Sequence, residues 1–255
     1  MSNSIRFFQQ QSSLRFLAFL FLYLFFGLSA CKDDDEATPV TETGTGTMID
    51  VDGNIYKTVL IGGKWWMAEN LKVKHYRDGQ DVNELVDVTS WSQGNPGYSV
   101  HPDATTAMGY LYNWAAVSNS AGLAPDGWHI ATDDDWKQLE SAVGMEASEI
   151  VKTGWRGSVE GDALKAVGTE NWNRFDPVWA TNSSGFSALS GSCRLFDGKF
   201  GYPSRLYTGF WWTASENTSD NSKAWYRYMD YKTSEVFRQY VQKEYGMSVR
   251  CVKNN

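Results

Sequence analysis

Hydrophobic positions fall into two regimes along this chain. Residues 14–28 are an almost continuous apolar run, dense in Leu and Phe, and it ends in Leu28-Ser29-Ala30-Cys31. From residue 55 onward apolar and polar positions alternate in short bursts. Residues 55–61 (IYKTVLI) are β-branched and partly alternating, Gly62 and Gly63 supply a turn, and residues 64–68 return, which predicts a β-hairpin. Residues 69–79 and 91–101 read as loops, with turn chemistry at Asp78-Gly79 and Asn95-Pro96-Gly97. Residues 110–117 (YLYNWAAV) read as a short helix. Thr132 is placed to cap a second helix, with Asp133, Asp134 and Asp135 in its first turn and Trp136, Leu139 and Val143 on one face. Residues 161–167 allow one or two further helical turns. The C-terminal third is different: residues 186–195, 210–213, 224–231, 234–240 and 247–253 are short, aromatic and β-branched, with turn residues between them. That pattern predicts an antiparallel meander. The fold class expected is α+β, a single domain with an N-terminal hairpin, two or three short helices and a C-terminal antiparallel meander.

The leading run adds an address. At about 15 residues it is short for a bilayer span, which needs ~20. Arg6 and Arg15 are the formal charges before Cys31, and small residues stand at the cut. Together these read as a signal peptide over residues 1–30. The small-small-Cys ending resembles the bacterial lipobox, which implies a lipid anchor on Cys31: diacylglycerol on sulfur and a fatty acyl chain such as palmitate on the new amino group. An ordinary signal peptide or an uncleaved anchor with an incidental cysteine is the plainer alternative. Lys32-Asp33-Asp34-Asp35-Glu36 resembles the acidic export signal of surface lipoproteins in the Bacteroidetes, against the alternative of a solvated acidic spacer. The expected location is the outer membrane, lipid-anchored, facing outward. Residues 38–47 (TPVTETGTGT) read as a flexible tether. The expected division is residues 1–30 signal peptide, 31–48 lipidated cysteine and tether, and 49–255 folded domain.

The formal net charge is −7, and loss of the two leader arginines makes the mature chain more acidic. With no basic patch, nucleic acid is not an expected partner. All 12 Trp lie between Trp65 and Trp225. Most should be core, and a few should be exposed platforms for sugar rings. Trp65, Trp66, Trp128, Trp136, Trp211, Trp212 and Trp225 sit in regular elements and are expected in the core. Trp91, Tyr98, Trp172 and Trp179 lie in stretches rich in Gly, Asn and Pro and are the expected ligand contacts.

Seven segments occur in an order that resembles one family: DGNIYKTV (52–59), WMAENL (66–71), GYLYNWAA (109–116), GWHIAT (127–132), GFSAL (185–189), WWTASE (211–216) and SVRCV (248–252). Together they look like the Fibrobacter succinogenes major paralogous domain, over roughly residues 49–253. The resemblance implies an extracellular, often lipid-anchored domain whose biochemical role is not established. The helix-opening segment and the last strand also resemble those of C-type-lectin-like and sulfatase-modifying-factor-like (formylglycine-generating-enzyme) folds. Fold does not fix function.

Catalytic motifs of fixed local spacing are absent from the sequence, while a pair of carboxylates from distant strands stays open. His75, His101 and His129 have no metal-ligand spacing, and there is no nucleophile elbow or phosphate loop, so neither metal nor cofactor is expected. Capping accounts for Asp133, Asp134 and Asp135 better than calcium does. Setting Cys31 aside leaves Cys193 and Cys251, 58 positions apart, as a disulfide or as two buried thiols. A bridge there would contribute ~4 kcal/mol in the chain-entropy model. The family often has a cysteine where this chain has Ala124, which leaves Cys193 as the substitute partner for Cys251. The expected function is a non-catalytic surface module binding a glycan or protein ligand. A hydrolase or modifying enzyme with a dispersed site, and a structural envelope component, are the alternatives.

Overall fold

Strand alternation and backbone pairing build most of this domain. The computed structural model describes residues 44–173, 175, 179–201 and 206–255, so the leader, Cys31 and most of the tether lie outside the described residues. The predicted hairpin forms: β2 (Ile55–Ile61) turns at Gly62 and Gly63, both at positive φ, into β3 (Lys64–Met67). A strand precedes it. β1 (Thr45–Ile49) begins inside the segment read as tether and pairs with β2, Thr45 opposite Val59 and Ile49 opposite Ile55. Weak local propensity is overridden by the pairing that β2 offers.

The chain continues through β4 (Asn83–Glu84), α1 (Val88–Ser92), β5 (Gly97–Ser99), β6 (Leu111–Asn113), α2 (Trp114–Val117) and β7 (Trp128–Ile130). It proceeds through α3 (Asp133–Ala142), α4 (Ala147–Ile150), β8 (Gly154–Arg156) and α5 (Glu160–Leu164). It ends with β9 (Thr208–Glu216), β10 (Lys223–Asp230), β11 (Val236–Gln242), β12 (Gly246–Met247) and β13 (Cys251–Lys253). The result is a mixed α+β domain with three sheets among the described residues, ordered β1-β2-β3-β13-β7, β8-β11-β10-β9 and β12-β6-β5-β4.

Three expectations need correction. Among the described residues there are five α-helices rather than two or three, because the short segments at α1 and α4 turn helical as well. The segment read as one helix over 110–117 starts as a strand, because β6 pairs with both β5 and β12. Helix begins only after Asn113, whose side chain accepts from Ala116 N at 3.0 Å and caps α2. The meander is shorter than expected at both ends. Residues 186–195 contribute only isolated bridges, and β13 leaves the meander to lie between β3 and β7. The α3 expectation holds: Thr132 accepts from Asp135 N at 3.1 Å while Asp135 accepts from Thr132 N at 2.9 Å, a reciprocal capping box.

Two strands from different sheets, β13 and β9, divide two cores. Cys251 and Trp212 face one cluster, with Tyr56, Met67, Tyr112 and Trp114. Val252 and Trp211 face the other, with Val59, Trp66, Trp136 and Phe186. Period-two alternation on β13 and β9 makes each strand a wall between the two. Of the tryptophans expected in the core, Trp66, Trp136, Trp211 and Trp212 are fully buried, and Trp65, Trp128 and Trp225 are half-buried. No helix among the described residues is long and apolar enough to cross a membrane.

Candidate functional site

On β10 and β11, Arg227 and Arg238 alternate with Tyr226, Tyr228 and Phe237, and the sheet sends these two sets to opposite faces, while Trp225 stays on the arginine side with the Arg238 guanidinium 3.8 Å from its ring centroid. Arg227 pairs with Arg238 and Tyr228 with Phe237 across the two strands. The arginines point inward at α3. Arg227 donates to Glu140 Oε1 at 2.6 Å and to Asp133 Oδ1 at 2.8 Å. Arg238 grips Asp133 with two bonds, 2.9 and 2.7 Å. Arg156, from the edge strand β8, grips Glu140 the same way at 2.9 and 2.7 Å. Burial pushes the Asp133 carboxyl up, but Arg238 and Arg227 outweigh it and hold the group well below the usual carboxylate range. A carboxyl held ionised in this way is a structural anchor and a poor proton donor.

Because neighbouring residues alternate, this inner network fixes an outer row. Trp155 lies opposite Phe237, Phe237 opposite Tyr228, and Tyr228 opposite Phe210. The row crosses all four strands, about 14 Å at the usual strand spacing. Phe210 and Tyr228 stack with centroids 4.5 Å apart and planes at 9°. Trp155 packs on Tyr228 at 5.0 Å and on Phe237 at 5.1 Å, with planes at 49° and 68°. It remains 38% exposed at the sheet edge, the ring of this row most open to solvent. Hydrogen-bonding groups flank the row: Tyr228 donates to Asp230 Oδ2 at 2.6 Å on one side, and Gln239 lies opposite Tyr226 on the other. The strip is therefore apolar along its middle and polar along its margins. Arg156, one residue from Trp155 and facing inward, is a positioning residue for the edge strand that carries it.

Three of the four ring residues expected to meet a ligand are instead core. Trp91 is buried in α1, its Nε1 donating to Glu244 O at 2.8 Å and the Arg194 guanidinium 4.6 Å from its ring centroid. Tyr98 is buried in β5 and stacks on Tyr110 at 4.5 Å. Trp172 is buried, with its Nε1 donating to Ala188 O at 2.9 Å. Loop composition reported the backbone of their neighbours and not the direction of the rings. Trp179 is half exposed.

The disulfide does not form: Cys193 and Cys251 are both free and buried. Their burial in apolar surroundings pushes the Cys193 thiol up to about 12 and the Cys251 thiol up as well. The physical reason is the relocation of β13, whose hydrogen-bond partners place Cys251 opposite Ile130 in the N-terminal sheet. Cys193 sits instead against Gly201 in the segment that follows residue 190.

Asp135 belongs to the helix cap. Its burial opposes ionisation, yet bonds from Lys64, Thr132 and His129 lower its pKa to about 2. His129 thus braces the helix start, and its Nδ1 meets Asn254 at 2.7 Å. Among the described residues no group of three or more His, Cys, Asp or Glu is arranged to hold a metal ion. The aromatic row was missed in the sequence because its members come from four strands. The available signal was alternation, with Tyr226 and Tyr228 flanking Arg227 while Phe237 precedes Arg238.

A family model described as the Fibrobacter succinogenes major domain matches residues 59–253. Searches of curated proteins and of solved structures return no match.

Proposed function

The chain belongs to the Fibrobacter succinogenes major domain family, and on that premise we propose that it is a non-catalytic binding module that takes a glycan chain on the aromatic strip of the β8-β11-β10-β9 sheet. The observation that carries this reading is the row Trp155–Phe237–Tyr228–Phe210 with polar groups along its margins. A sugar offers apolar C–H surface and hydroxyls together, and such a strip answers both. The row ends at a sheet edge on the exposed Trp155, which suits the interior of a chain better than a terminal unit held in a closed pocket. Trp155 supplies the exposed indole, and the other rings supply the floor.

The same reading places the domain outside the cell. The leader, Cys31 and the acidic run after it support a lipoprotein of the outer membrane facing outward, with the membrane as partner through the lipid. A C-type-lectin-like or sulfatase-modifying-factor-like fold goes with this proposal. Its support is that the two segments carrying that resemblance meet in space: β13 pairs with β7, Val252 opposite His129, just before the Thr132 cap.

The test is a glycan array probed with the folded chain, followed by surface proteolysis of intact cells. Retention of polysaccharides that Trp155→Ala fails to retain supports the reading. An array on which wild type and Trp155→Ala are indistinguishable contradicts it.

A further inference from the structure

Lys243 follows β11 directly, and its Nζ lies 4.4 Å from the centroid of the Trp114 ring. The same ammonium donates to Glu216 Oε1 at 2.6 Å. These groups bound a cavity of about 360 Å³ whose lining includes Asn113, Trp114, Ser118, Glu216, Lys243 and Glu244. The indole is fixed. Trp114 Nε1 donates to Thr213 O at 3.1 Å, its backbone N–H donates to Lys243 O at 3.1 Å, and Asn113 caps the helix it opens. The lysine side chain, by contrast, sits on a flexible stem, and its partner Glu216 is about half exposed, at 48%.

We infer that this cavity is a binding site for a small organic ammonium group of the trimethylammonium type, and that Lys243 is the plug that occupies it until such a ligand arrives. An indole face attracts cations through its quadrupole, and methylated ammonium ions are favoured there because they are weakly hydrated. The protein already places an ammonium in that position. Glu216 and Glu244 supply countercharge from the rim. A surface Lys–Glu pair adds little to stability, so displacing it costs little. The cavity volume suits a small ligand. The site shares no residue with the aromatic strip and stands or falls independently of it.

The experiment is titration of tetramethylammonium and of choline at constant ionic strength, read by NMR on the Trp114 indole N–H. Wild type, Lys243→Ala and the double variant Lys243→Ala/Glu216→Gln are compared. 3,3-Dimethylbutan-1-ol, the uncharged analogue of choline, is the control. Expected are a shift of the Trp114 resonance in wild type, roughly tenfold tighter binding once the plug is removed by Lys243→Ala, and weaker binding again in the double variant. Absence of any shift in both wild type and Lys243→Ala overturns the site. Equal binding of the neutral analogue overturns the ammonium assignment, and unchanged affinity in Lys243→Ala overturns the plug.

Discussion

Arg156 Nη2 donates to Glu140 Oε1 at 2.7 Å, and both side chains are fully buried. Arg227 reaches the same carboxylate from the next strand but one. One helix residue thereby fastens the edge strand and a central strand of the sheet that carries the aromatic row. Glu140→Ala removes the shared partner and leaves two buried guanidinium groups short of a carboxylate, which costs about 3–5 kcal/mol. Denaturant unfolding measures this loss. Arg156→Met, of similar length and uncharged, should cost less at Glu140 because Arg227 remains, while the fluorescence of Trp155 moves toward that of a solvated indole.

Acid should act through the start of α3. The pKa values of Asp133 and Asp135 are depressed by their partners, that of Asp135 to about 2. A depressed carboxylate stabilises the fold above its unfolded value of ~3.9, and that contribution is lost as pH falls through the folded value. The contribution of Asp135, about 2 kcal/mol, should therefore be intact at neutrality and lost between roughly pH 4 and pH 2, with that of Asp133 lost further into acid. Unfolding free energies measured across that range check this. Asp135→Asn should be less stable at neutral pH and show a shallower acid slope.

An exposed clasp titrates in the other direction. His75 Nδ1 meets Asp52, and its Nε2 lies 2.9 Å from Asp81. The bond to Asp52 is the largest cause of the raised pKa of His75, and Asp81 adds to it. The protonated ring is the form both carboxylates favour, so the clasp is complete at low pH and loosens as pH rises through the folded value. An NMR titration of His75 should give a midpoint above the model-peptide value of ~6.5 that falls in Asp52→Asn. A midpoint unmoved by that substitution would count against the clasp.

The thiols should be silent. Neither Cys193 nor Cys251 should react with an alkylating reagent in the native protein, and both should react on unfolding without reductant, as buried thiols rather than a disulfide do. Intact mass after labelling distinguishes the two cases.

Legibility in the sequence followed the range of the forces involved. The Thr132 cap was readable because its chemistry closes within three residues, and Thr132→Ala should cost about 1 kcal/mol. The β2–β3 hairpin was readable for the same reason. β1 was hidden because Thr45-Gly46-Thr47 becomes a strand only through β2. The destination of β13 was hidden because its alternation is satisfied equally by a meander and by the slot between β3 and β7. The site suffered most. Trp91, Tyr98 and Trp172 lie in turn-rich sequence yet point inward, while Trp155 follows a glycine at positive φ in a three-residue edge strand that has no periodicity to read.

The central claim is that the Trp155 row binds a glycan. It is tested most directly by calorimetric titration of a polysaccharide selected on the array into wild type, Trp155→Ala and Trp179→Ala. Trp155→Ala should weaken binding roughly thirtyfold, about 2 kcal/mol, with an unchanged circular dichroism spectrum, and Trp179→Ala should bind as wild type does. Undiminished affinity in Trp155→Ala would contradict the account.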